Sequence, residues 1–109
     1  MEQLECETFW ARVYMAGNIE NAKNTCRKFC QSGFCINIYE TDYIYNSGEE
    51  IGFCVELINY PRFPETDGVI LDTAKDIDNQ LLVDCFQVSY MIVTSNKTYW
   101  HSRKDELRR

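Results

Sequence analysis

Residues 34–60 read FCINIYETDYIYNSGEEIGFCVELINY, and two alternating stretches within them set the fold class. In Phe34 to Tyr45, Phe34, Ile36 and Ile38 share one face and Cys35, Asn37 and Tyr39 the other. In Ile51 to Tyr60, Phe53, Val55 and Leu57 stand opposite Cys54, Glu56 and Ile58. Side chains alternate across a strand, so each stretch reads as a strand with one apolar face. The turn cluster Asn46-Ser47-Gly48-Glu49-Glu50 joins the two into a hairpin. Pro61 and Pro64 end the second strand, because proline has no N–H for a ladder.

Upstream, Cys6 to Met15 alternates in the same way, with Phe9, Ala11, Val13 and Met15 opposite Thr8, Trp10, Arg12 and Tyr14. Gly17 breaks that strand and Asn18 suits an N-cap. Ile19, Ala22, Cys26, Phe29 and Cys30 then recur at helical spacing, and Gly33 suits a C-terminal stop, so a helix is expected over Ile19 to Gln31. Downstream, Thr66 or Asp67 caps a second helix with the apolar stripe Ile70, Ala74, Ile77, Leu81 and Cys85; Asp72, Asp76, Asp78 and Asn79 fall off that stripe. Val88 to Thr94 and Thr98 to His101 read as two closing strands. The order predicts an α+β, ferredoxin-like β-α-β-β-α-β antiparallel sheet with two helices on one face and a short C-terminal hairpin extension.

With 109 residues, 45% of them apolar, one domain over 1–109 is expected, its basic end from 102 to 109 frayed. The opening Met-Glu-Gln-Leu-Glu has neither the basic nor the apolar region of a signal peptide, and no apolar run is long enough for a membrane span. A cytoplasmic location follows as the expectation, with no membrane partner. Lys104-Asp105-Glu106-Leu107 spells an ER-retention signal but is followed by Arg108 and Arg109, so no receptor would read it.

Charge is uneven. The net charge is −6, yet Glu40 to Asp84 holds 11 acidic residues against Arg62 and Lys75. A field of that sign repels nucleic acid and attracts basic surfaces. Glu49, Glu50, Asp72 and Asp76 are the candidate contacts for a protein partner with a basic surface.

Six cysteines are present, Cys6, Cys26, Cys30, Cys35, Cys54 and Cys85. Reduced thiols packed as small apolar groups are expected, since Cys26, Cys30 and Cys85 fall on helical stripes. Cys26, Cys30 and Cys35 lack the paired spacing of a zinc site, and Cys30 with Cys35 lacks the redox Cys-x-x-Cys spacing. The single histidine, His101, reads as an edge-strand residue rather than a catalytic base. The scattered glycines form no phosphate loop. No catalytic residue, metal or cofactor is therefore expected.

The sheet face away from the helices is the richest surface. It should carry Trp10, Arg12, Tyr14, Asn37, Tyr39, Cys54, Glu56, Ile58 and Tyr60. Trp, Tyr and Arg anchor interfaces, so Trp10, Arg12, Tyr14, Tyr39 and Tyr60 are the candidates for self-association as a homodimer. Aromatics there resemble the RNA-recognition motif, but Gly52-Phe53-Cys54-Val55-Glu56-Leu57 stands where that family carries a basic, aromatic signature. Acylphosphatases share the fold and need a phosphate-cradling loop after the first strand; Ala16-Gly17-Asn18 is too short.

Over most of its length the chain resembles small proteins of phages and bacterial mobile elements, above all in Tyr43-Ile44-Tyr45 and in Leu57-Ile58-Asn59-Tyr60-Pro61-Arg62-Phe63-Pro64. In size, acidity and α+β pattern it is similar to phage-encoded inhibitors of host defence, including anti-CRISPR proteins. That resemblance implies a non-enzymatic blocker of a basic nucleic-acid-binding surface in the host cell cytoplasm, and it transfers no site residues. The alternative is a small regulatory or ligand-binding domain of a host protein. An enzyme using Cys or His ranks third.

Overall fold

The computed structural model describes residues 1–103. Five strands and two helices follow one another as β1 (Trp10–Ala16), α1 (Ile19–Phe29), β2 (Asn37–Tyr45), β3 (Gly48–Ile58), α2 (Asp67–Asp84), β4 (Ser89–Thr94) and β5 (Thr98–Ser102). They form one sheet in the order β2-β3-β1-β4-β5, antiparallel throughout. This is the expected ferredoxin-like arrangement, extended by β5 at the β4 edge.

Local chemistry sets the ends of the elements. Asn18 accepts the Asn21 N–H at 3.0 Å and Thr66 accepts the Val69 N–H at 3.2 Å, so each helix starts on a side-chain cap. After α1 the chain makes a short 3-10 turn, Cys30–Ser32, and Gly33 leaves it at φ 110°, a conformation that a side chain disfavours. The β2–β3 connection is tighter than the five-residue cluster suggests. Pairing resumes at Tyr45 with Gly48, leaving Asn46 and Ser47 as the loop.

β1 begins four residues later than its alternation suggests. Its partner β3 ends at Ile58, so residues before Trp10 have no continuous ladder to join. Asn59 gathers that segment instead: its N–H donates to the Phe9 carbonyl at 2.9 Å and its side-chain amide to the Glu7 carbonyl at 2.8 Å. β2 also begins late, because Phe34 turns back to pack on Phe29, with ring centroids 5.4 Å apart.

One face of the sheet meets the helices. Ala11 and Val13 of β1, Phe53 and Val55 of β3, and Ile92 of β4 lie buried against Ala22 and Cys26 of α1 and Ile70, Ala74, Ile77 and Leu81 of α2. Each large apolar side chain so buried contributes about 1.5–3 kcal/mol. Among the described residues no helix is long and apolar enough to cross a membrane.

Asp78 departs from the sequence pattern. It was expected with Asp72 and Asp76 off the apolar stripe, yet it is 0% exposed and neither carboxyl oxygen has a hydrogen-bond partner. The buried face of α2 is wide because both the sheet and α1 cover it, and Asp78 lies one turn from buried Ala74 and buried Leu82. Burial pushes its carboxyl up to about 9. An unfolded aspartate titrates near ~3.9, so folding takes up a proton between these values. Stability is therefore greatest below the unfolded value and declines as pH rises through the folded one. Asp78→Asn, which cannot ionise, should raise stability at pH 8 by about 1–3 kcal/mol, with the gain shrinking toward pH 4. Urea titrations of both proteins at the two pH values will show it; an equal difference at both would exclude the account.

Candidate binding face and its cavity

Strand register fixes what the open sheet face displays. Tyr14 of β1 stands beside Cys54 of β3 and Met91 of β4; Cys54 stands beside Tyr39 of β2; Met91 stands beside Trp100 of β5. Arg12 pairs with Glu56, and Glu56 with Asn37. Trp10, Arg12, Tyr14 and Tyr39 thus share this face. Tyr60 lies just past the end of β3, its hydroxyl 3.3 Å from the Cys35 thiol.

The face divides into two regions. Near the end of β3, Arg12 lies over the Trp10 ring at 4.0 Å and binds Glu56 at 2.6 Å, and Asn37 donates to the other Glu56 oxygen at 3.1 Å. Burial pushes the Glu56 carboxyl up, but the hydrogen bonds from Arg12 and then Asn37 outweigh it and hold it below the usual range. This charge pair is internally satisfied. In the middle, Cys54 is fully buried on a face otherwise open to solvent. The hydrogen bond with Cys54 raises the Tyr39 hydroxyl, while burial raises Tyr14, Tyr43 and Cys54 itself. At neutral pH these phenols stay protonated and the thiol stays neutral, so the face offers donors rather than bases or a thiolate nucleophile.

Toward the β2–β3 turn the face becomes concave. A cavity of about 450 Å³ opens between Tyr14 and Ala16 of β1, Tyr43 and Glu50 of the hairpin, Met91 of β4 and Trp100 of β5, closed below by Gln87, Val88 and Ser89. Its size falls in the range of small-molecule sites. Tyr43 and Glu50 are cross-strand partners, and Tyr45 reaches Glu50 at 3.5 Å. The Trp100 wall is tied down at its end by Arg103, whose N–H donates to the Val88 carbonyl at 2.8 Å and whose guanidinium donates to the Gln87 carbonyl at 3.0 Å. A groove of about 480 Å³ between α1 and α2, bordered by Lys28, Val83 and Phe86, carries no carboxylate apart from Asp84, which binds Thr25 at 2.6 Å.

The four acidic candidates are not brought together. Glu49 and Glu50 are consecutive in β3 and point to opposite faces. Glu50 lines the cavity; Asp72 and Asp76 are exposed on α2, which covers the other side of the sheet. All six cysteines are free, and burial pushes the Cys26 thiol up to about 12. His101 stacks on Tyr90, with ring centroids 5.0 Å apart. Tyr43 and Trp100 escaped the sequence reading; the alternation does place Tyr43 on the face of Tyr39, which was the signal available.

No protein-family model and no curated protein matches the chain. Solved structures do. A phage SAM lyase in its apo state is 15% identical with a TM-score of 0.69, the match covering 95% of this chain and 96% of that one. A phage SAM lyase in complex with S-methyl-5'-thioadenosine is 14% identical with a TM-score of 0.65, covering 94% and 95%. At such identities the likeness shows the fold. The neighbours are phage proteins, in line with the resemblance to phage-carried proteins, but neither is an anti-CRISPR inhibitor. The expectation of a protein that is not an enzyme is overturned, because the fold shared over nearly the whole chain is that of an enzyme. The sequence carries neither a Cys or His constellation nor a phosphate-cradling loop that would have signalled an enzyme.

Gly52 makes the cavity wall feasible. A Cβ at this position would meet the Met15 carbonyl and the Tyr43 ring, and would lie 2.9 Å from the Ala16 Cα. Two of these three neighbours are backbone and cannot swing aside. Gly52→Ala should therefore destabilise the protein by about 1–3 kcal/mol and expose Tyr43. Thermal denaturation with near-ultraviolet circular dichroism measures both effects; unchanged values would contradict the packing described.

Proposed function

We propose that this protein is an enzyme that cleaves S-adenosylmethionine or a closely related sulfonium nucleoside in the cavity beside Glu50. The observation that carries the proposal is a coincidence. The chain shares its fold with phage SAM lyases over nearly its full length, and its open face holds a cavity with aromatic walls and a carboxylate.

The residues suit this chemistry. The substrate carries a sulfonium cation, a carboxylate and a purine. When the bond between sulfur and the amino-acid γ-carbon breaks, sulfur keeps the electron pair and leaves as neutral S-methyl-5'-thioadenosine. The substrate's own carboxylate oxygen can bond to that carbon and close a five-membered lactone. No proton moves and no external nucleophile is consumed, which agrees with a face of protonated phenols and a neutral thiol. Opposite charges annihilate in this step, so the aromatic and methionine part of the wall, which solvates charge less well than water, favours it. Glu50 faces the cation and fixes its orientation; Tyr14 offers a hydroxyl donor nearby.

This proposal also keeps the inhibition of host defence, in enzymatic form. A phage-carried enzyme that consumes the methyl donor would starve any defence system that depends on it.

The test is direct. Purified protein incubated with S-adenosylmethionine should release S-methyl-5'-thioadenosine, resolved by liquid chromatography. Glu50→Gln should slow release about tenfold or more, while Asp72→Asn with Asp76→Asn leaves it unchanged. Intact substrate after prolonged incubation with folded protein would refute the proposal.

A further inference from the structure

Tyr43 is fixed before any ligand arrives. Its hydroxyl donates to the Phe53 carbonyl at 2.9 Å and lies 3.4 Å from the Met15 carbonyl, both belonging to strands that flank the ring. The ring itself rests over Gly52, where only the missing Cβ leaves room for it. Because the polar tip is engaged by backbone, what the residue can offer the cavity is the flat π-face of its ring. Trp100, 66% exposed on β5, borders the same cavity.

We infer that Tyr43, seated on Gly52, is a preset stacking platform for the purine ring of a nucleoside ligand, with Trp100 as the second aromatic wall. The inference rests on the sulfonium-nucleoside reading above and adds to it the residue that selects the base. A planar heteroaromatic ring is the ligand part best matched to an aromatic face without a free polar edge. A platform already immobilised by hydrogen bonds loses little side-chain freedom on binding, so more of the stacking energy appears as affinity. Glu50, directly across the ladder from Tyr43, then lies on the side where the cationic part of the ligand extends.

Calorimetric titration with S-methyl-5'-thioadenosine tests it, since this neutral nucleoside makes no demand on Glu50. Tyr43→Phe keeps the ring and should bind within about twofold of the wild type. Tyr43→Leu should weaken binding about 5- to 150-fold, and Trp100→Ala should weaken it in the same direction. In the wild-type protein, 5-methylthioribose, which lacks the purine, should bind far more weakly than the full nucleoside; this arm holds even if Tyr43→Leu fails to fold. Equal binding of methylthioribose and methylthioadenosine, or unchanged nucleoside affinity in Tyr43→Leu, overturns the inference. The two proposals separate cleanly. Tyr43-dependent nucleoside binding without cleavage of S-adenosylmethionine refutes the lyase activity and keeps the platform. Cleavage with an unchanged KM in Tyr43→Leu does the reverse.

Discussion

The ladder between β1 and β3 is the constraint on which the rest of the molecule depends. Trp10 pairs with Ile58 and every residue onward to Ala16 with Gly52, so β3 is held on both sides, by β1 and by β2. A slip of one residue would send Phe53, Val55 and Leu57 to solvent and Cys54 and Glu56 into the core. The same register puts Arg12 against Glu56, Tyr14 against Cys54 and Ala16 against Gly52. Core, charge pair and cavity wall are three results of one alignment.

Much of the fold was legible because local signals agreed with one another. The alternation in residues 34–60, the caps at Asn18 and Thr66 and the stripe Ile70, Ala74, Ile77, Leu81 and Cys85 all point to one architecture, and each appears in the structure. The errors lie where tertiary contacts decide. Strand starts moved because a strand ends where its neighbour ends, which alternation alone does not report. Asp78 was misplaced because a helix covered by both a sheet and a second helix buries a wider arc than one stripe.

The site was legible only in part. Alternation puts Tyr14 on the open face, and Glu50 stands in the sequence as an acidic candidate. Period-two geometry separates Glu49 from Glu50, and of the two only Glu50 lines the cavity. Tyr43 and Trp100 were not singled out, since they stand on the two opposite edge strands, β2 and β5, and alternation within a strand does not report which distant side chains line one cavity. The value of Gly52 could not be seen in sequence either. A glycine inside a strand reads as a weak point until the ring that lies over it is located.

The Arg103 anchor carries a practical consequence. β5 is an edge strand, paired only with β4, and it holds Trp100 at the rim of the cavity. Arg103 fastens the end of that strand to Gln87 and Val88, the same segment that closes the cavity from below. Rim and floor are thus clipped together outside the hydrophobic core. A cut or a fusion joint placed before residue 103 removes these bonds from the rim of the cavity, together with the guanidinium contact to the Leu82 carbonyl of α2. Expression designs that keep Arg103 preserve that clip.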